Sequence, residues 1–318
     1  MIVAFGNPVY SERDMIVAFG NPVYDEIQTP TVRTPGRVLS GCSTNGCIML
    51  RHLGRDTALV GRVGEDYYDR LLEDLRHFQI QPFVQTCAQT GGFRLIYDQR
   101  GDRTLDVLGV ADPITQLPDV CAAADALIVG PILQETPADL ITRLHAQSDA
   151  PIMLDPQGLL RRIGADGRIE HFCPPEFEAI ASLCRVVKAN EVEARVITGI
   201  DPRADGRASV ARLRALGCQI AIVTLAEAGS LIDDGSACWF IPAYPTDAHD
   251  PTGAGDTYMA GFLDAYLRDP HDLYAAGCRG AATSSLWIEH TGPSAPVTLE
   301  AINQRTAHLL SLPRRGEP

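Results

Sequence analysis

Asp250-Pro251-Thr252-Gly253-Ala254-Gly255-Asp256-Thr257 is the stretch around which the rest of the chain is read. The apolar residues that follow, Met259, Phe262, Leu263, Tyr266 and Leu267, recur at helical spacing. A small-residue turn therefore runs straight into a helix, whose first amides lack internal partners. Gly253 and Gly255 permit close backbone approach, so a polyphosphate can sit on those amides. Asp256 would then stand beside a transferring phosphoryl group and accept a proton from an attacking hydroxyl. Glycine followed by aspartate is also an ordinary helix cap. The phosphate reading gains weight from what accompanies it.

The chain has 318 residues, 45% hydrophobic and 21% charged. That is enough for a large core, arranged as one α/β domain with an accessory element or as two domains. Lys plus Arg is 27 against 40 Asp plus Glu, a formal charge of -13. Such a balance argues against a nucleic-acid backbone partner but not against a nucleotide held by local amides and a metal. The nine cysteines, at 42, 47, 87, 121, 173, 184, 218, 238 and 278, form no CxxC pair or compact Cys/His cluster. A structural zinc site is not expected. The odd count without secretory features fits a reducing cytoplasm. Cys42 and Cys47 are candidates for reactivity, with apolar packing the expected role for most of the nine. No apolar run is long enough to span a bilayer, and Met1–Tyr10 lacks the basic start of a signal peptide.

Met1–Tyr10 and Met15–Tyr24 carry the same ten residues, MIVAFGNPVY. Ile16-Val17-Ala18-Phe19 reads as the first buried strand, followed by a Gly-Asn-Pro turn. The second copy continues into the chain, so it is assigned to the fold and residues 1–14 to a duplicated leader outside it. An extra edge strand is the alternative. From residue 40 onward, short apolar strands (Thr57–Val60, Leu127–Val129, Ile152–Leu154, Val186–Val187, Ile220–Val223) alternate with helical segments (Thr44–Leu53, Tyr67–Leu75, Pro137–His145, Val192–Ile197, Ser209–Leu216). This rhythm predicts a largely parallel sheet covered on both faces. Residues 26–39 and 83–108 break it, the latter with a hairpin pattern around Phe93–Tyr97 and Gln99-Arg100-Gly101-Asp102. Together they predict a small β-sheet over the strand ends, a lid; edge strands of the main sheet are the alternative. The tail, residues 313–318, is expected to fray.

Lys188-Ala189-Asn190-Glu191-Val192-Glu193 leaves a strand and enters a helix, with Asn190 and Glu193 on one face of its first turn. The pair can orient water around Mg²⁺, and it also has the form of a capping box. Val223-Thr224-Leu225-Ala226-Glu227-Ala228-Gly229 is a strand and small-residue turn that can pass close to a nucleotide, or an ordinary hairpin. Ser40-Gly41-Cys42-Ser43-Thr44-Asn45 opens a helix where a ligand can approach the backbone and Asn45 can donate and accept; a helix cap is the other reading.

Taken together, these residues resemble the ribokinase (PfkB) family of sugar and nucleoside kinases over about residues 15–312. The resemblance implies an α/β, ribokinase-like three-layer sandwich with a mainly parallel central sheet and a small β-sheet lid. It implies Asp256 as catalytic base and the Gly253, Ala254 and Gly255 amides as the anion hole. Asp25, Gly41 and Asn45 fall at acceptor-binding positions. Lys188, Asn190, Thr224 and Gly229, with Gly253 and Gly255, fall on the ATP side. Asn190 and Glu193 match the water-mediated Mg²⁺ motif, and Asp250 and Thr252 match a region that supports a monovalent cation such as K⁺. Gly61-Arg62-Val63-Gly64-Glu65-Asp66 resembles a further family block. Ser40 replaces the first glycine of the acceptor pair and Ala226 that of the nucleotide turn, so ribose does not transfer by analogy. Asp155-Pro156-Gln157-Gly158 with Arg161 resembles a strand-end motif of several subgroups, some inositol and nucleoside kinases among them, and leaves the acceptor open.

The implied activity is MgATP-dependent phosphorylation of a small sugar or polyol in the cytoplasm, with no nucleic-acid or membrane partner. A nucleoside kinase and a noncatalytic binder are the alternatives. Lid sheets of the family can pair, which implies a homodimer through the lid as one arrangement. No P-loop or early GxGxxG fingerprint occurs.

Overall fold

The computed structural model describes residues 15–98 and 103–314. The leader 1–14, the turn 99–102 and residues 315–318 lie outside the described residues. Strand β1 (Met15–Phe19) explains the architecture. It is buried throughout, with Ile16 and Ala18 in one apolar cluster and Met15, Val17 and Phe19 in another. Alternate side chains of a strand point to opposite faces, so a strand apolar at every position needs cover on both. β1 lies between β4 (Asp56–Gly64) and β8 (Ala126–Val129), parallel to each. The sheet continues through β5 (Gln81–Cys87) at one edge. On the other side come β9 (Ile152–Leu154), β12 (Val186–Asn190) and β13 (Ile220–Thr224), then the antiparallel β14 (Ser230–Asp233) and β15 (Cys238–Ile241).

Helices α1 (Cys42–His52), α2 (Glu65–His77), α7 (Ala254–Arg268), α8 (Leu273–Trp287) and α9 (Leu299–Ser311) supply side chains to the first cluster. Helices α3 (Ala138–Gln147), α4 (Phe177–Ser182), α5 (Glu191–Thr198) and α6 (Gly206–Arg214) supply the second. The result is the three-layer sandwich with a mainly parallel sheet.

The small sheet has the order β3-β2-β6-β7, from β2 (Val23–Gln28), β3 (Val38–Ser40), β6 (Gly92–Tyr97) and β7 (Arg103–Gly109). Its boundaries differ from the expected 26–39 and 83–108. Residues 83–87 belong to β5 of the main sheet, where Phe83 packs against one apolar cluster and Val84 against the other. A lid strand has no second layer to receive both. The lid's underside is apolar: Val23, Ile27, Phe93, Leu95 and Tyr97 pack with Cys42 and Ile132. One outer row, Glu26, Arg94 and Asp106 in register, is charged. A two-stranded hairpin, β10 (Arg161–Ile163) with β11 (Ile169–His171), brings Ile169 against the same underside.

The root of the lid is tied by buried polar groups. The Glu135 carboxylate accepts from the amides of Asn21 (3.1 Å), Ile132 (2.7 Å) and Leu133 (2.6 Å). The Asn21 side chain accepts from Arg62 N at 2.7 Å and donates to Asp112 O at 3.0 Å. Three loops and the end of β4 thus hold one another.

A second knot fixes the carboxyl-terminal half of α7. Asp264, with a fully buried side chain, accepts from Arg55 (2.8 Å), Arg268 (3.1 Å) and Arg279 (2.6 Å). Burial pushes its carboxyl up, but the hydrogen bonds and charges of these guanidiniums outweigh it and hold the group below the ordinary aspartate value. A depressed pKa stabilises the fold above the unfolded value and loses that contribution as pH falls through the folded one. Asp264→Ala strands the mostly buried Arg279, and its expected cost is about 3–5 kcal/mol. Urea unfolding at neutral pH measures it, and the difference from wild type should shrink in acid.

Candidate active site

A parallel sheet delivers all its strand ends to one edge, and here β9, β12 and β13 bring chemistry to it. β9 ends one residue before Asp155. β12 carries Lys188 and Asn190, and Thr224 closes β13 beside Asn190. Helix α7 enters the same edge through Gly253, whose φ of 84° lies in the left-handed region that glycine tolerates. A Cβ at Gly253 would also lie 2.6 Å from the Trp287 indole nitrogen.

The catalytic candidate Asp256 sits on the first turn of α7. Asn45, on the first turn of α1, donates to its Oδ2 at 2.9 Å. Cys42 Sγ and carboxylate oxygens of Asp155 and Asp256 lie within 4.8 Å of one another. Burial, then the charge of Asp155, pushes the Asp256 carboxyl above the ordinary aspartate value, against the pull of Asn45 and Lys188. The same burial raises the Cys42 thiol well above its ordinary value and Cys47 to about 12. Neither is a reactive thiolate, because the charged form is the one burial penalises.

Lys188 pairs with Asp155 at 2.7 Å, both side chains almost fully buried. Burial pulls its ammonium down, but Asp155 and Glu193 overcome this and hold it above the ordinary lysine value. The ammonium lies directly behind the α7 turn: a Cβ at Gly255 would be 2.5 Å from Nζ. Gly255 is therefore small to make room for a charge. Of the three anion-hole candidates, the Ala254 amide already donates to Pro251 O at 3.2 Å.

Asn190 and Glu193 form a closed capping box. Glu193 Oε2 accepts from Asn190 N at 2.8 Å, Oε1 from Asn190 Nδ2 at 2.8 Å, and Asn190 Oδ1 from Glu193 N at 3.0 Å. Burial, then Asp155, raises the Glu193 carboxyl. Its oxygens keep further lone pairs, so the pair suits contact with Mg²⁺ through water better than direct ligation. Gly229, with φ 96°, ends the turn after Thr224, where a Cβ would clash with Ile241 O.

The acceptor candidates are less tightly convergent. Gly41 caps α1 with φ 121°. Asp25 is buried and spends Oδ1 on the Phe93 amide at 2.7 Å, joining β2 to β6. Asp250 Oδ1 accepts from Thr252 N at 2.9 Å, so these two cation candidates brace their own loop.

The match to known proteins follows this arrangement. The family model for pfkB family carbohydrate kinases covers residues 14–300. The chain belongs to the pfkB family. Among its relatives, a ribokinase of Staphylococcus aureus (strain COL) is 26% identical over 277 residues, covering 83% of this chain and 86% of that protein. A cytidine kinase of Thermococcus kodakarensis is 27% identical over 248 residues, covering 74% and 82%. A pyrophosphate-dependent kinase of the ribokinase family, solved with a pyrophosphate analog and myo-inositol, superposes with a TM-score of 0.77. It is 22% identical and covers 91% of this chain and 99% of that one. That likeness carries the fold. No helix among the described residues of this pfkB-family chain is long and apolar enough to cross a membrane.

Sequence reasoning gave no role to Tyr97 or Trp287, offered Cys42 only as a candidate for reactivity, and placed Asp155 only in a strand-end motif. Asp155 had a signal, an acid closing an apolar strand. The others meet the site through contacts distant in sequence.

Two substitutions test these local readings. Ala226 adopts φ 47°, left-handed without being glycine. Ala226→Gly should stabilise the fold by about 0.5–1 kcal/mol, read as a raised melting temperature. Gly255→Ala should displace the Lys188 ammonium and lower turnover, at a stability cost of about 1–3 kcal/mol; steady-state kinetics and urea titration separate the two effects.

Proposed function

We propose that the protein transfers the γ-phosphoryl group of MgATP to a hydroxyl of a small sugar or polyol, with Asp256 as general base. The observation that carries this reading is the setting of Asp256: a half-buried carboxylate on the first turn of α7, held by Asn45 and flanked by the Lys188 ammonium and the helix-start amides. The acceptor oxygen attacks the γ-phosphorus, its proton passes to Asp256, and ADP leaves. Charge building on the transferred group falls toward the α7 amides and Lys188, which are fixed beforehand and need little reorganisation. A carboxylate of raised pKa is also the stronger base.

Asn190 and Glu193 are the residues that would hold Mg²⁺ through its water shell. When bound, the metal supplies charge neutralisation on the polyphosphate. Thr224 and Gly229 border the donor side. Asp25, Gly41 and Asn45 are the acceptor candidates, with Asp25 also bracing the lid. The apolar lid underside suits exclusion of water, which limits wasteful ATP hydrolysis. A second reading, a nucleoside acceptor, is favoured by the cytidine kinase relative.

ADP formation from MgATP across pentoses, hexoses, inositols and nucleosides decides between these. One preferred acceptor should emerge. Asp256→Asn should keep acceptor binding by calorimetry while turnover falls about a hundred- to ten-thousand-fold. The acid limb of kcat/KM should lie above an ordinary aspartate pKa of about 3.9, because the group must lose its proton to act. Turnover that survives Asp256→Asn would remove the assignment.

A further inference from the structure

Thr252 is held on every polar group it has. Its amide donates to Asp250 Oδ1 at 2.9 Å. Its carbonyl accepts from Trp287 Nε1 at 2.9 Å. Its hydroxyl shares a hydrogen bond with the Tyr97 hydroxyl at 2.9 Å. These partners come from three places: the loop itself, the last residue of α8, and the last residue of lid strand β6. Trp287 and Tyr97 are both buried. The indole nitrogen also approaches Gly253 closely. The clamp therefore acts on the residue just before the turn whose amides would face the transferring phosphoryl group.

A monovalent cation at Asp250 and Thr252 would draw on carboxylate and carbonyl oxygens. One lone pair of the Thr252 carbonyl already accepts the Trp287 N–H, whose positive end repels a cation placed on the other. Thr252 thus fits a protein-made clamp better than a cation shell.

We propose that Trp287 and Tyr97 are positioning residues of the phosphoryl-transfer loop, and that their clamp on Thr252 takes the place of a monovalent cation. The inference rests on the kinase reading. It adds that turnover does not depend on which monovalent cation is present. It also adds that lid closure and loop order are linked, because one arm of the clamp belongs to the lid.

The test uses the intact enzyme with MgATP and its preferred acceptor, in potassium, sodium or tetramethylammonium chloride at one ionic strength. Equal rates in the three salts are expected; clear activation by K⁺ over tetramethylammonium overturns the proposal. Trp287→Phe keeps an aromatic ring and removes the N–H, while Tyr97→Phe keeps the lid packing and removes the hydroxyl. Each should lower kcat about ten- to a hundredfold, with acceptor KM nearly unchanged. Tyr97→Phe should also raise the ratio of ATP hydrolysed to acceptor phosphorylated, which a merely structural role would not move. Wild-type kinetics in both variants overturn the proposal. If Trp287→Phe fails to fold, Tyr97→Phe and the salt series decide. Absence of acceptor-dependent turnover in all three salts would count against the kinase reading, and the clamp is then read from melting. A wild-type melting temperature equal in K⁺ and tetramethylammonium supports it, and a rise specific to K⁺ overturns it.

Discussion

The site is organised around one buried ammonium. Lys188 is nearly inaccessible, and a charge so placed needs a partner, which Asp155 supplies at 2.7 Å. Glu193 and Asp256 also lie within its electrostatic reach. Two buried carboxylates and the half-buried Asp256 thus share one fixed cation. Two of them, Glu193 and Asp256, have raised pKa values because burial and a neighbouring negative charge act together. Gly255 follows from the same constraint, since a side chain there would occupy the ammonium's space. Under the kinase reading, the excess of negative charge explains why a polyphosphate would approach only with its own metal.

The sheet makes this concentration affordable. Parallel order sends Asp155, Lys188, Asn190 and Thr224 to one edge without any loop having to reach across. Helix α7 arrives by a different route, after the antiparallel β15, and its start must be located by other means. Asn45 fixes the first turn from α1, and the Asp264 cluster anchors the far half through Arg55 and Arg279. The two ends of α7 therefore divide the work. One carries charge chemistry that the fold tolerates, and the other carries ion pairs that hold the helix against α8 and the loop after α1.

What the sequence disclosed follows the range of the interactions. β1 was legible because both its faces are buried, so apolarity itself was the signal. The Asp250–Asp256 turn was legible because its chemistry is local. The Asn190–Glu193 capping box was legible because both partners lie within one helical turn. The lid's extent was not legible, since two adjacent apolar residues, Phe83 and Val84, do not by themselves show that a layer covers each face of β5. Nor was the clamp, because Tyr97 and Thr252 are 155 residues apart and Trp287 meets Thr252 through a tertiary contact alone.

The lid's chemistry bears on why so much polar work is placed at one point. Its underside is apolar, and it packs on Cys42, which belongs to the Asp155–Asp256 cluster. A lid of this kind closes by excluding water and has little directional preference of its own, since apolar contact is insensitive to small shifts. Tyr97 is the exception: its ring packs with the apolar underside and its hydroxyl reaches Thr252 in the loop before α7. A hydrogen bond is directional where the apolar contacts are not. One polar contact at the end of β6 can therefore register a whole sheet against the start of α7, and placing it on Thr252 aligns the lid with the turn on which phosphoryl transfer would depend.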